Sequence, residues 1–277
     1  MSPRTNGVGV QVEDTKICVV LVGLPARGKS YIAQKCELLG PFRRTTKRRS
    51  GRVKIGPSLC RVITLPSYDN AEAVAQRYLQ WLSIPAQTFN VGNYRRTDAP
   101  QPKADFFDTN NPEGERKRRA AAEAAVVDML QWFKKGGIVG ILDATNSTKE
   151  RRKWILDVCE KTGVECMFVE SKCDDEDLIM ANIRDVKTTS PDYKGQDPET
   201  AALDFRNRIR NYEKIYKTID GDKDENSYTY LKIMDVGKQV VINRIKDYLQ
   251  SRIVYYLMNL HIRPRSVWLS RVSRIDK

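Results

Sequence analysis

The run Ile17-Cys-Val-Val-Leu-Val22 leads straight into Gly23-Leu-Pro-Ala-Arg-Gly28-Lys29-Ser30, and this junction constrains the fold more than any other feature of the chain. A continuous β-branched run suits a strand buried on both faces of a parallel sheet. The eight residues after it fit G-x-x-x-x-G-K-[ST]. In that pattern two glycines let the backbone wrap closely around phosphates, and N–H groups at a helix start donate to them. Lys29 would reach the β- and γ-phosphates and Ser30 would hold Mg²⁺. A chance glycine-rich turn is the alternative, but a buried strand before the motif and a helix opening at Ser30 are the context that favours nucleotide binding.

The rest of the chain alternates strands and helices. Strands are expected over 86–91, 137–143, 164–171 and 230–237, and another over Ser266-Val-Trp-Leu-Ser270. Helices are expected over 75–82, 113–135, 148–162 with Thr148 as cap, 175–185, 198–217 and 239–260, the last long and amphipathic. A polar loop joins the strand at 86–91 to Asn111. This alternation predicts an α/β fold of the P-loop NTPase type. Its sheet is doubly wound and mostly parallel, with helices on both faces and ligands at the carboxyl ends of the strands.

Ile141-Leu-Asp-Ala-Thr-Asn146 sets Asp143 at the end of a buried strand. A carboxylate there meets Mg²⁺ in P-loop folds, directly or through water; capping of the next helix is the alternative. Thr145 and Asn146 share that loop and can hydrogen-bond a substrate. Arg95, Arg96, Arg118, Arg151 and Arg152 fall near strand ends, where guanidinium forks suit phosphate oxygens, although each could equally belong to a solvated helix face. Arg208 and Tyr212, four apart, share one helix face, with a surface pair as the bland reading.

Composition narrows the partners. The chain has 277 residues, 40% hydrophobic and 30% charged, with no apolar run long enough for a membrane helix and no signal-peptide core at its start. The cytoplasm is the expected compartment. Six cysteines without C-x-x-C spacing and a single histidine, His261, speak against zinc and against Ser-His-Asp chemistry. The net charge of +13 admits nucleic acid, membrane surface or anionic small substrates. Residues 36–74 hold eight Lys/Arg against three Asp/Glu, but no stacking aromatic motif accompanies them. Anionic substrates account for the basic residues beside the phosphate motifs as well as nucleic acid would.

Gly23-Leu-Pro-Ala-Arg-Gly-Lys-Ser-Tyr-Ile-Ala33, FNVGNYRR (89–96), DATNSTKERR (143–152), ESKCDD (170–175), NIRDVKTTSPDY (182–193) and QSRIVYYLMNLHIRPRSVWLSR (250–271) resemble, together and in this order, the kinase domain of the 6-phosphofructo-2-kinase/fructose-2,6-bisphosphatase family. The resemblance implies transfer of the γ-phosphate of ATP, with Mg²⁺, to the 2-hydroxyl of fructose 6-phosphate, in the control of glycolysis. It implies nucleotide contacts at Gly23, Leu24, Pro25, Ala26, Arg27, Gly28, Lys29, Ser30 and Tyr31, and at Asn182, Ile183, Arg184, Asp185, Val186 and Lys187. It places catalytic residues at Asp143 and Cys173, beside Lys29 and Lys187. Sugar-phosphate ligands fall on Arg95, Arg118, Thr145, Arg151, Lys187, Arg208 and Tyr212, and metal ligands on Ser30 and Asp143. Asp143 could organise the metal or accept the sugar hydroxyl's proton. No nucleic-acid or membrane partner is implied, and a homodimer is left open.

Two departures stand out. Residues 36–74 have no counterpart in the family pattern, and Val272 stands where the histidine of the family's Arg-His-Gly phosphatase motif should be. Both read as translated intron sequence. The expected organisation is a disordered tail over 1–15, a kinase domain over 16–271 interrupted by the insertion 36–74, and an aberrant end over 272–277 without the phosphatase domain. An inactive ATP-binding fragment of that family, or another P-loop small-molecule kinase, are the alternatives.

Overall fold

The computed structural model describes residues 15–29, 79, 82, 84–98, 102–221 and 224–259. The expectations for the tail before residue 15, the insertion 36–74, most of the helix over 75–82, Ser30, Tyr31, His261, the strand over 266–270 and the end over 272–277 lie outside the described residues.

The described chain runs β1 (Ile17–Val22), β2 (Ala86–Asn90), α1 (Val91–Asp98), a 3₁₀ turn (Ala104–Phe107), α2 (Pro112–Lys134), β3 (Val139–Asp143), α3 (Lys149–Lys161), β4 (Glu165–Lys172), α4 (Glu176–Thr189), a 3₁₀ turn (Pro191–Tyr193), α5 (Pro198–Glu213), β5 (Thr229–Met234), β6 (Gln239–Asn243) and α6 (Tyr248–Met258). The strands form one six-stranded sheet in the order β2-β3-β1-β4-β5-β6. All neighbours are parallel except β5 and β6. The doubly wound α/β fold is therefore present, closed at one edge by an antiparallel strand.

β1 explains the core. Every one of its residues is buried, because it is the central strand and both faces are covered. Ile17, Val19 and Leu21 point to the face that also holds Met167, Val169 and Leu231 and is covered by Ile253, Val254 and Leu257 of α6. Cys18, Val20 and Val22 point to the other face, with Leu142 and Phe168, under Met129 and Phe133 of α2 and Ile155 of α3. A third apolar cluster joins α4 to α5 through Ile179, Ile183, Phe205 and Ile209. Leu79 is helical and buried in the first cluster.

The caps follow ordinary helix chemistry. Thr148 accepts from the Arg151 N–H at 3.2 Å, Asp197 from Thr200 at 3.0 Å and Asp247 from Gln250 at 2.7 Å.

Two expectations are corrected. The helix expected over 239–260 is a strand, β6, and a shorter helix, α6. Val240, Val241 and Ile242 lose side-chain freedom in a helix and pack well on a pleated surface, so they extend the sheet. Arg244 then takes φ +51° and Asp247 starts α6 afresh. The polar loop after β2 contains α1 and a 3₁₀ turn.

Strand order reverses around β1, with β2 and β3 on one side and β4 and β5 on the other. The carboxyl ends of parallel strands at such a point open a crevice.

Candidate active site

The loop leaving β1 is held in a shape that most side chains cannot follow. Gly23 has φ +140° and Gly28 +82°. A Cβ on Gly23 would run into the Ser171 carbonyl of β4, so only glycine lets the loop pass this strand. The loop is pinned from three elements. The Gly23 N–H donates to the Thr145 carbonyl at 3.0 Å, Ser171 Oγ donates to the Arg27 carbonyl at 2.5 Å, and Asn182 Nδ2 of α4 donates to the Ala26 carbonyl at 2.9 Å.

Lys29 lies under this loop. Its Nζ donates to the Gly23 and Leu24 carbonyls, both at 2.6 Å, and the side chain is buried. Burial lowers its pKa to about 7. Asp143 opposes that shift, while Arg27 and Arg208 add to it. Arg27 Nη2 reaches Glu213 at 3.5 Å, and its Nη1 is buried with no hydrogen-bond partner among the described residues. A wrapped loop, an ammonium and an unsatisfied guanidinium N–H form a donor set suited to a polyphosphate.

Asp143 ends β3 and is buried. Its register partner is Asn90 at the end of β2, and Asn90 Nδ2 donates to Asp143 Oδ2 at 2.8 Å. Asn90 lies in FNVGNYRR, but only strand register brings it beside Asp143. Among the described residues no group of three or more His, Cys, Asp or Glu could hold a metal. A single carboxylate still fits Mg²⁺, which keeps several waters and takes phosphate oxygens. Asn146, expected to face a substrate, instead turns at φ +42° and donates to the Leu21 carbonyl at 2.7 Å. Thr145 is half-buried on the same loop.

The arginines divide into groups. Arg95 Nη2 donates to both oxygens of Asp192 at 2.8 and 2.7 Å, Arg96 Nε to one at 2.7 Å, and Arg208 Nη1 to the other at 2.9 Å. Burial alone would raise the Asp192 pKa, but the charges of Arg208 and Arg95 and the hydrogen bond from Arg96 hold it at about 2. Phe107 lies beneath two of these guanidiniums, with Arg208 3.9 Å and Arg95 5.4 Å from its ring centroid. The Tyr212 ring lies 5.7 Å from it, so Tyr212 belongs to the same group and is buried rather than a surface residue. Arg118 donates to the Phe106 carbonyl, and its pKa is lowered by burial despite Tyr212 and Glu115.

Arg151 and Arg152 are directed elsewhere. Arg151 stacks 4.5 Å from the Trp154 centroid. Its pKa is lowered to about 10 by burial, with Glu123 and Arg119 of α2 as its charged neighbours. Arg152, read from the sequence as suited to phosphate, is fully buried in a two-pronged ion pair with Glu225 at 2.6 and 2.9 Å. It also donates to the Asn146 and Lys217 carbonyls at 3.2 and 2.9 Å. It is a structural tie, since its donors are occupied by this chain.

Cys173, just past β4, is buried, and burial raises its pKa, so it is a neutral thiol at pH 7. Ile183 belongs to the apolar α4–α5 cluster, whereas Arg184 is exposed. Asp185, Val186 and Lys187 lie in the last turns of α4; their side chains lie outside the described residues. Glu170, the first residue of ESKCDD, is fully buried on β4. It accepts from Tyr216 Oη and the Ile219 N–H and pairs with Lys232 at 3.4 Å.

The profile of the family described as 6-phosphofructo-2-kinase matches residues 71–264. The phosphate loop lies ahead of that stretch. A Saccharomyces cerevisiae protein named fructose-2,6-bisphosphatase is 42% identical over 262 residues, which is 93% of this chain and 49% of that protein. The Homo sapiens 6-phosphofructo-2-kinase/fructose-2,6-bisphosphatase 4 is 40% identical over 265 residues, 95% of this chain and 48% of that protein. A Caenorhabditis elegans relative carrying both activities in its name is 39% identical, covering 91% of this chain and 48% of its own length. The chain spans about half the length of these relatives.

Proposed function

Because the chain belongs to the 6-phosphofructo-2-kinase family, we propose that it transfers the γ-phosphate of ATP to the 2-hydroxyl of fructose 6-phosphate, giving fructose 2,6-bisphosphate and ADP. The carrying observation is that the phosphate loop touches both other parts of the proposed site: the Gly23 N–H donates to the carbonyl of Thr145, two residues past Asp143, and Ala26 packs against the cluster of α4 and α5, the latter being the helix that carries Arg208. No helix among the described residues is long and apolar enough to cross a membrane.

In this reading the loop's N–H groups bind the nucleotide phosphates, and Lys29 exchanges its carbonyl partners for the β- and γ-phosphate oxygens. Arg27 Nη1 gains an acceptor there. Mg²⁺, when bound, neutralises charge on the phosphates, and Asp143 and Ser30 are the residues that would hold it. Arg95 and Arg208 orient the sugar's 6-phosphate, and Arg118 and Tyr212 complete that wall. The 2-hydroxyl oxygen forms a bond to the γ-phosphorus, and the bond to the β–γ bridging oxygen breaks. The hydroxyl proton passes to Asp143 or to solvent. Catalysis then rests on positioning and charge neutralisation rather than on a covalent intermediate.

The test is an assay with ATP, Mg²⁺ and fructose 6-phosphate, with the product identified by its phosphate positions. Arg95→Ala is expected to raise the KM for fructose 6-phosphate about tenfold to a hundredfold, the worth of a charge-assisted pair, and to leave the KM for ATP near normal. Phosphate transfer to a different acceptor, with none to fructose 6-phosphate, overturns this reading.

A further inference from the structure

We propose that Asp192 is a positioning residue for the sugar-phosphate subsite, the common anchor that holds Arg95 and Arg208 with their guanidiniums presented to a phosphomonoester. The inference rests on the proposed function for the identity of the ligand, but on geometry alone for the role of Asp192.

The geometry is specific. One carboxylate receives hydrogen bonds from three guanidiniums that come from two separate helices. Arg95 and Arg96 sit in the last turn of α1, and Arg208 lies in α5. Asp192 belongs to neither helix. It lies in the 3₁₀ turn between α4 and α5, where Ser190 Oγ accepts from its N–H at 3.4 Å. A short capped turn after α4 thus sets where two other elements place their charges. Asp192 itself is 2% exposed, so its carboxylate cannot be replaced by water.

The occupancy of the donors is also informative. Arg208 gives Nη1 to Asp192, while its Nε is buried with no hydrogen-bond partner among the described residues. A buried unpaired N–H is costly unless an acceptor arrives. Among the described residues one carboxylate faces three guanidiniums, a cationic balance that suits a phosphate dianion. Phe107 holds Arg95 and Arg208 from beneath, so Asp192 and the ring together define the plane and direction of both forks.

Two variants of the full chain test this. Asp192→Asn keeps the shape and removes the charge; Asp192→Glu keeps the charge and moves it by about one methylene. ATP and sugar-phosphate KM values, kcat, and direct binding of fructose 6-phosphate, glucose 6-phosphate and unphosphorylated fructose are measured for each, with circular dichroism to establish folding. Both variants are expected to raise the KM for the sugar phosphate at least about tenfold, with the KM for ATP within about threefold and kcat less affected than KM. Binding of unphosphorylated fructose is expected to stay unchanged. If Asp192→Asn fails to fold, Asp192→Glu carries the test, since it retains the counter-charge. Wild-type sugar-phosphate affinity in a folded variant, or an equal loss for ATP and sugar phosphate, overturns the positioning role. If the wild-type chain binds another phosphomonoester but not fructose 6-phosphate, and binding still depends on Asp192, the role stands and the substrate assignment falls.

Discussion

Lys29 is the residue whose chemistry the fold alters most. Its ammonium is buried against two carbonyls, and burial, with the charges of Arg27 and Arg208 adding to it, brings its pKa to about 7 against about 10.4 for a free lysine. Above pH 7 the side chain is increasingly neutral before nucleotide binds. A bound polyphosphate favours the charged form, so binding at pH 8 is expected to take up a proton. Affinity for ATP should therefore fall as pH rises from 7 to 9. Titration calorimetry in buffers of different ionisation enthalpy checks this; Lys29→Met should show no uptake and should lose transfer, at a cost on the order of several kcal/mol in the transition state. Unchanged uptake in that variant would reassign the proton to another group.

Asp192 has the opposite sign. Burial raises its pKa, but Arg208 and Arg95 outweigh burial and hold it at about 2. A depressed folded pKa adds stability that is full above the unfolded value of about 3.9 and is lost as pH falls through 2. Acid unfolding between pH 4 and 2 should be less steep in Asp192→Asn. Asn90 acts on kcat instead. Its amide fixes one oxygen of Asp143, so Asn90→Ala should lower kcat about tenfold or more with little change in either KM. Equal losses in KM and kcat would point to a general loss of structure.

At the scale of elements, the loop after β3 depends on Arg152. This fully buried side chain joins α3 to Glu225 and to the carbonyls of Asn146 and Lys217, so it ties the loop after Asp143 to the segment before β5. Removing one partner of a buried pair leaves the other charge uncompensated, at a cost of about 3–5 kcal/mol. Glu225→Gln should lower stability by about that amount in urea unfolding. It should also reduce kcat, because Asp143 and Thr145 lie on the segment so held. A loss below about 1 kcal/mol would mean that water already reaches this pair.

For the whole molecule, the sheet core and the α4–α5 cluster are separate apolar units. They meet at the phosphate loop, where Ala26 packs against the α4–α5 cluster and Asn182 donates to its carbonyl, and at the Asp192 group. A unit joined through few apolar contacts opens below the global unfolding free energy. Native-state hydrogen exchange should show α4 and α5 opening before β1, β3 and β4. In the proposed binding mode nucleotide and sugar phosphate bridge the two units, so both should slow exchange in α4 and α5 most. Uniform slowing across the sheet would contradict this division.

The sequence by itself determined the buried central strand, the phosphate loop, the strand-end aspartate and the alternation that builds a doubly wound sheet. Each of these is a local pattern, readable because burial on both faces requires an unbroken apolar run and phosphate wrapping requires glycine at set intervals. It did not determine β6, where three β-branched residues met a helix-like amphipathic spacing and only the open edge of β5 decided between them. Nor did position near a strand end, apart from the family resemblance, separate Arg152 from Arg95. Both are arginines near strand ends, and one is paired with a buried glutamate 73 residues away while the other joins Arg96 and Arg208 on Asp192. Asn90 and Asp192 lie within quoted motifs, but their roles were not legible, for the same reason. Register placed Asn90 beside Asp143, and the α4–α5 turn placed Asp192 among guanidiniums from two helices. A charge acquires its role from the partners that burial forces on it, and those partners are set by the tertiary fold.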